Sequence, residues 1–175
     1  MGDNASGAVN QQERPSFEQW IVGFVDGEGC FSVPIFRQPS AKSGWQVQPE
    51  FAVVQAEPSA QVLYDMQIFF GCGRIGVNRR NDNHHHDMWR WSVRARKDLA
   101  ERIVPFFEDN PLRTEKAVQF RKFAQIIGML NERRHLQRSG LTEIAEIAQT
   151  MNLKRPSRFL ESSEAIRQPP HPTVR

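Results

Sequence analysis

The first hydrophobic segment of the chain is apolar on nearly every side. Ser16 and Gln19 have the spacing of a capping box, which predicts a helix that begins at residue 17. Apolar side chains fill most positions from 17 to 25, and a helix of this kind is buried or lies in an interface. Gly23 in its middle costs about 1 kcal/mol relative to Ala, which suggests that another backbone approaches closely there. We expect Asp26-Gly27-Glu28-Gly29 to end the helix.

Alternation of apolar and polar residues then predicts two β-hairpins with a helix between them. The first hairpin is formed by residues 30–36 and 45–54, and the second by residues 73–80 and 87–96. Pro58 and Ser59 begin the intervening helix, and Gly71 ends it. Trp89 and Trp91 alternate in the last strand, where we expect them to face the core.

Helical spacing returns in the second half of the chain. Residues 97–107, 114–130 and 141–151 predict three more helices. The fold class is therefore α+β, with an α-β-β-α-β-β-α core, a four-stranded antiparallel sheet and additional C-terminal helices. We expect a disordered tail at residues 1–15, a domain at 16–153, and an extended, basic, Pro-containing tail at 154–175.

Composition adds a preference for nucleic acid and excludes several classes of protein. With 175 residues and 39% hydrophobic content, the chain is too apolar to be disordered. Its basic residues are 18 Arg and 5 Lys, and Arg suits phosphates and guanine edges, although a GC-rich genome also raises Arg. The 2 cysteines suggest no zinc or disulfide framework. With neither a signal-peptide pattern nor an apolar run of membrane-spanning length, we expect no membrane partner and a bacterial cytoplasmic or organellar matrix location.

Asp26 and Glu28 are the strongest candidates for chemistry. They lie at the C-terminus of an apolar helix, where free carbonyls and the helix dipole disfavour acids unless a cation offsets them. Carboxylates, carbonyls and water are the ligands of Mg²⁺, the ion that phosphodiester hydrolysis needs. A plain helix-to-strand turn with surface acids is the alternative on these residues alone.

Residues 21–29, IVGFVDGEG, resemble the LAGLIDADG motif of homing endonucleases, and the element order over 16–130 matches that family. The C-terminal segments resemble bacterial single-motif members. The resemblance implies a site-specific, intron-encoded endonuclease that cuts double-stranded DNA across a long, partly palindromic site. Because the motif occurs once, the resemblance implies a homodimer in which two motif helices pack through Trp20, Gly23 and Phe24.

The resemblance also implies residue roles. Glu28 would be the catalytic metal ligand, with the Gly27 carbonyl as a second ligand for Mg²⁺ or another divalent cation, and Asp26 would be structural. Glu28 replaces the Asp of the motif and is one methylene longer. Gln55 would order the attacking water, and Arg113, or Lys116 in its place, would act near the phosphate.

The resemblance further implies that the sheet forms a concave saddle over the major groove, and its polar face would then read DNA. Arg reads guanine, and Gln or Asn reads adenine, through paired hydrogen bonds. An ordinary solvated face is the alternative. The candidates are Ser32, Gln38, Lys42, Gln46, Gln48, Glu50, Arg74, Asn78, Arg79, Arg80 and Arg90.

Three other interpretations stay open. The same fold could serve as an RNA maturase, with intron RNA as a partner, or as a DNA-binding regulator without cleavage. Residues 141–151 resemble a helix of a helix-turn-helix reader, although its partner helix lacks the usual short turn before it. The run His84-His85-His86 suggests a metal site, but three successive histidines cannot easily aim at one ion, and a flexible loop near phosphates is the preferred interpretation.

Overall fold

The computed structural model describes residues 16–79, 86–152 and 157–167. Helix α1 (Phe17–Glu28) begins with the predicted capping box, in which the Gln19 N–H donates to Ser16 Oγ at 3.3 Å and the Ser16 N–H donates to Gln19 Oε1 at 3.1 Å. The helix continues past Val25, the last residue of the predicted apolar segment, through the acidic residues to Glu28, and the Gly29 N–H still donates to the Val25 carbonyl. Both acids therefore lie in the last helical turn.

Four strands form the main antiparallel sheet, in the spatial order β1 (Gly29–Ser32), β4 (Glu50–Ala56), β6 (Met88–Val93) and β5 (Arg74–Asn78). A separate two-stranded ladder joins β2 (Ile35–Arg37) to β3 (Trp45–Val47). The two hairpins and the predicted element order are confirmed.

The first hairpin differs from its prediction in one respect, since each long strand is split in two. The pairs Ser32↔Glu50 and Ile35↔Val47 keep one register, and the Gln48 N–H donates to the Pro34 carbonyl at 3.0 Å between them. Proline has no N–H, so Pro34 and Pro49 interrupt the ladder in both strands at one level. The hairpin thus keeps one register along its length, but its ladder is interrupted at Pro34 and Pro49, which we call the joint.

Up to residue 149, four longer helices follow α1 among the described residues, and they cover one face of the sheet or extend beyond it. Helix α2 (Gln61–Phe70) follows a 3₁₀ turn and ends at Gly71, whose φ of 61° is left-handed. Helix α3 runs through Arg96–Asp98, a π-helical Leu99–Ile103 and Val104–Asp109. Pro105 explains the wide turn, because its ring and missing N–H do not fit an α-helical turn. Helices α4 (Lys116–Asn131) and α5 (Arg138–Gln149) match predicted helices.

The main core is an aromatic layer between the sheet and the helices. Phe31 and Phe51 on neighbouring strands stack with centroids 4.8 Å apart, and Phe107 and Phe123 approach from α3 and α4. Trp91 is fully buried, as predicted, whereas Trp89 is only half-buried and contacts the Tyr64 ring. In the part of the chain that the structure describes, no helix is long and apolar enough to cross a membrane.

The segment expected as an extended tail contains helix α6 (Arg158–Arg167), which corrects the prediction for these residues. Phe159 is buried and meets the Trp45 ring edge-on at 5.3 Å. Together with Leu141 and Ala145 of α5 it forms a second small core under β2 and β3. The Pro-rich, basic composition gave no sign of this contact, because Trp45, the apolar partner of Phe159, lies more than a hundred residues earlier in the chain.

Replacing Phe159 with Ala tests whether this small core stabilises β2 and β3. We expect faster hydrogen exchange at the amides of β2 and β3, with the amides of β4 and β6 unchanged, because a buried Phe contributes about 3 kcal/mol or more to the structure it packs on. The matched control is Phe17→Ala, which removes an exposed ring at the far end of the sequence. If the amides of β2 and β3 exchanged at the same rate in the Phe159 variant as in the unmodified protein, Phe159 would not stabilise these strands.

Candidate active site and nucleic-acid interface

Helix α1 is buried on one side and uncovered on the other. Ile21 and Val25 are fully buried in the main core. On the opposite side, Trp20 is 37% exposed and stacks on Phe24 with centroids 4.7 Å apart. Within the described ranges, nothing lies within 4 Å of a Cβ placed at Gly23 or Gly27. The helix therefore presents an open apolar strip with two glycines, formed by Trp20, Gly23, Phe24 and Gly27.

The junction between α1 and β1 requires its glycine. A Cβ at Gly29 would lie 2.5 Å from Val25 Cγ1 and 2.8 Å from the Val25 carbonyl oxygen. A real Cβ does not approach backbone this closely, so a larger residue would push the strand away from the helix end. The position of the helix terminus relative to the sheet is thereby fixed.

Asp26 uses both carboxylate oxygens inside the protein. It accepts hydrogen bonds from the Arg113 N–H at 2.9 Å, from the Thr114 N–H at 3.2 Å and from Thr114 Oγ1 at 2.8 Å. Burial works to raise the pKa of Asp26, but these hydrogen bonds and the charge of Lys116 outweigh it and hold the pKa below its usual range. Asp26 thus ties the end of α1 to the segment before α4.

Glu28 has the opposite surroundings. Its side chain is exposed, and among the described residues we find no hydrogen bond or ion pair to its carboxylate. Gly27 is also exposed, and it lies in the last helical turn, whose carbonyls have no partner within the helix. The Glu28 carboxylate and the Gly27 carbonyl are therefore two neighbouring oxygen ligands that the described residues leave available for a cation.

The structure separates the two candidates for the basic residue. Lys116 Nζ donates a hydrogen bond to the Gly29 carbonyl, directly after the two motif acids. Arg113 contacts Asp26 only through its backbone, and its side chain is exposed. Of the two candidates, Lys116 is thus the one whose charged group contacts residues 21–29.

Gln55 lies near the same junction. It is half-buried on β4, two residues beyond Val53, which pairs with Gly29 where α1 meets β1. Gln55 pairs with Trp89 on the neighbouring strand β6. The amide is therefore close to the helix end and is not part of the fully buried core.

The face of the sheet away from the helices carries most of the predicted nucleic-acid contacts. Phe31, Phe51 and Trp91 define the core face, and the register places residues of opposite parity on the other face, here called the outer face. Five predicted residues lie there on the main sheet, and two continue it on and after β3: Ser32, Glu50, Arg74, Asn78, Arg90, Gln46 and Gln48. A groove of about 710 Å³ runs along this face beside β5 and β6.

The remaining candidates lie at the edges of this face. Gln38 and Lys42 are in the loop that closes the first hairpin, where Gln38 Nε2 donates to Ser40 Oγ at 3.0 Å. Arg79 is exposed just after β5. Arg80, His84 and His85 lie outside the described residues, and His86 is exposed. Within the described ranges, no group of three or more His, Cys, Asp or Glu side chains could hold a metal ion.

Glu50 departs from its predicted role as an exposed contact. It lies on the outer face as expected, but the residue is only 7% exposed. Its carboxylate binds Arg90 Nη2 at 2.6 Å and Arg94 Nε at 2.8 Å. Two arginines cover it because alternation places all three side chains on one face. Arg94 was not among the predicted contacts, although its alternate position after Arg90 and Ser92 indicates that it faces outward with them.

Comparison with known proteins agrees with this geometry. Residues 21–127 match the family model described as LAGLIDADG endonuclease. The probable intron-encoded endonuclease 3 of Neurospora crassa is 32% identical over 135 residues, which cover 77% of this chain and 24% of that protein. The chain belongs to the LAGLIDADG endonuclease family.

Solved structures of homing endonucleases share the fold. The crystal structure of I-TnaI is 42% identical, with a TM-score of 0.75, and the match covers 88% of this chain and all of that one. I-SmaMI bound to its uncleaved DNA target in the presence of calcium ions is 26% identical, with a TM-score of 0.76, over 86% of this chain and 49% of that one. The chain spans about a quarter of the length of the first curated relatives that it matches.

Proposed function

We propose that this chain is a site-specific DNA endonuclease, encoded within an intron, that cuts double-stranded DNA as a homodimer with Mg²⁺ or another divalent cation. The observation that carries the proposal is an exposed apolar helix face that ends in the carboxylate of Glu28, to which the described residues offer no hydrogen-bond or ion-pair partner. An unpaired acid at a helix C-terminus is unfavourable alone and is explained by a cation. Its family and the names of its relatives support DNA as the substrate.

The strip on α1 supports self-association. Two copies related by a two-fold axis would place Gly23 against Gly23, and the open space at both glycines permits close approach of the backbones. Trp20 and Phe24 would supply the buried apolar area on either side. The pairing would bring the two Glu28 residues together at the end of the paired helices.

The oxygen donors at the helix end suit a hard divalent ion. Glu28 and the Gly27 carbonyl would hold it, and since one chain offers no cluster of three ligands among its described residues, phosphate oxygens, waters and the second copy would complete the set. Such an ion activates water and stabilises the leaving oxygen in phosphodiester hydrolysis. I-SmaMI was solved with calcium ions and its DNA target, which is consistent with this donor chemistry.

The chain's own side chains would contribute the rest. Gln55 would orient the attacking water through its amide, which can both donate and accept. Lys116 would place its ammonium near the phosphate that is cut and stabilise the charge that develops there. Asp26 would keep the helix end and the segment at Arg113 and Thr114 in place. The outer face of the two hairpins would lie in the major groove and read the bases.

One experiment tests this function directly. The protein is incubated with a randomised duplex library and Mg²⁺, and the cut ends are sequenced. We expect a long, partly palindromic consensus with a fixed overhang, and no cut ends when the metal is chelated. Sequence-selective DNA binding without cleavage would favour a regulator, and preferential binding of structured RNA would favour a maturase.

Replacing Lys116 with Ala is expected to lower the single-turnover cleavage rate by about a hundredfold, the scale of losing one charged donor at a developing oxyanion. DNA affinity should stay within a few-fold, because one phosphate contact is a small part of a long interface. Lys122→Ala is the matched control, since Lys122 lies on the same helix and donates to the Thr150 carbonyl at 3.2 Å. Arg113→Ala, measured in parallel, separates the two candidates, and a larger rate loss there would contradict the assignment to Lys116.

A further inference from the structure

Glu50 is the one charged side chain among the described residues that the fold buries. It sits on the outer face of β4, not in the core, and lies under the guanidinium groups of Arg90 and Arg94. Those two side chains are 42% and 58% exposed, whereas the Glu50 side chain is 9% exposed. A carboxylate is thus sealed beneath two cations on the surface proposed to meet DNA.

The strand register gives these arginines different routes to Glu50. Phe51 pairs with Val93, so Arg94 lies directly across from Glu50, but Arg90 pairs with Val54, two outward positions further along β4. Arg90 must therefore reach back past the Ala52↔Ser92 pair to bring Nη2 within 2.6 Å of Glu50. Both residues of that pair are small, and Ala52 is only 2% exposed on this face. Arg90 Nε is also buried and has no hydrogen-bond partner among the described residues. We therefore infer that the Arg90 side chain lies across the Ala52↔Ser92 pair and covers Ala52.

The contacts leave particular donors free. Arg94 is held at Nε, so both of its terminal nitrogens remain available, and these two donors match the O6 and N7 acceptors of guanine. Arg90 is held at one terminal nitrogen, so the other terminal nitrogen remains available. Both arginines line the groove beside β5 and β6. Glu50 therefore fixes the direction of both side chains, and it leaves both terminal nitrogens free on Arg94 and one on Arg90.

The charge of Glu50 needs an explanation on a DNA-binding surface. A carboxylate that faces phosphates opposes binding, and its removal would favour affinity for any duplex. An ordinary ion pair contributes little when its arginines are half exposed. Flexible arginines reach phosphates readily, whereas base recognition needs a fixed fork, because a bidentate contact depends on orientation.

We propose that Glu50 is a positioning residue for specificity, which holds Arg94 and Arg90 in the orientation that reads guanine and keeps them away from phosphates. This inference rests on the proposed function, since it assigns part of the base readout of the same surface. In this proposal Glu50 does not contact DNA itself but orients the two arginines, and Arg94 joins the residues that contact bases. The expected signature is a loss of selectivity together with a gain of general affinity.

The test uses the full-length protein and the target that the randomised library selects. Binding to that target, to each of its single-base-pair variants and to an unrelated duplex is measured by fluorescence anisotropy for the unmodified protein, Glu50→Gln, Arg94→Lys and Arg90→Lys. We expect Glu50→Gln to lose about tenfold of discrimination at the G·C pairs at which the lysine variants lose it, the scale of one bidentate contact. We also expect it to bind the unrelated duplex several-fold more tightly. Glu146→Gln on α5 removes the same charge from an exposed position and should change neither quantity.

The outcomes separate this inference from the function beneath it. An unmodified protein that selects no sequence overturns the proposed function, and this inference with it. Normal selection with an unchanged Glu50→Gln profile overturns the inference alone, as does an equal loss of binding to every duplex with a lowered melting temperature. If Glu50→Gln does not fold, the lysine variants decide. They keep the charge but lose the fork, and base preference that survives in both of them overturns the assignment.

Discussion

Glu28→Gln is expected to reduce the cleavage rate about a thousandfold or more and to leave binding of the target DNA within a few-fold. The amide keeps the shape of the side chain but cannot supply a charged oxygen ligand, and a bound ion contributes several kcal/mol of transition-state stabilisation. At about 1.4 kcal/mol for each tenfold in rate, that contribution corresponds to a loss of this size. Single-turnover cleavage and anisotropy binding without added metal measure the two quantities separately.

Two controls define what this result means. Glu146→Gln removes an exposed acid from α5 and should cut normally. Asp26→Asn alters the other motif acid, whose oxygens are both engaged, so we expect a lowered melting temperature ahead of any specific loss of metal dependence. Cleavage that persists in Glu28→Gln at the same metal concentration would remove Glu28 from the proposed metal site.

Gly23→Leu is the second substitution for which we expect a large effect, and its two readouts should move in opposite directions. Gly23 is exposed, and among the described residues of one copy nothing lies within 4 Å of a Cβ placed there. We therefore expect the monomer to accept the larger side chain, and the better helix former should stabilise α1 by up to about 1 kcal/mol. Between two copies the same side chain would force the helices apart. We expect the dimer dissociation constant to rise about a hundredfold or more, and cleavage to fall with it.

Analytical ultracentrifugation and thermal melting measure these two effects, and the chain offers a matched control. Gly128 on α4 is also an exposed helical glycine with nothing within 4 Å of its Cβ, so Gly128→Leu should leave the dimer intact. A dimer of normal strength in the Gly23 variant would place the interface on another surface.

Local patterning predicted the order and type of the main elements because each rule involved only near neighbours along the chain. The capping box at Ser16, the glycine stop at Gly71 and the parity of the strands are of this kind. The same parity placed Arg74, Asn78 and Arg90 on the outer face. The end of α1 was less well predicted, because helical hydrogen bonding continues through Asp26 and Gly27 once the tertiary fold holds them.

Features that depend on distant partners escaped prediction. Alternation gave Glu50 an outward direction but not the cover that Arg94 and Arg90 provide from another strand. Likewise, Phe159 lies in a basic, Pro-containing segment and becomes part of a core only because Trp45 lies opposite it. Our preference for Lys116 over Arg113 in the proposed site also rests on the contact with Gly29, since either residue fits the spacing.

The joint at Pro34 and Pro49 has a consequence for how this scaffold could acquire new targets. Beyond the joint, β2 and β3 share a small core with α5 and α6, although Ile35 and Val47 also pack against the main core. Trp45 and Phe159 belong to the small core and not to the main one, so substitutions at these two positions lie farthest from the packing that sets the end of α1 and its acids. In the proposed endonuclease, the outer part of the recognised DNA sequence could then change while the metal site stays constant, which makes the surroundings of Trp45 the natural place to begin retargeting.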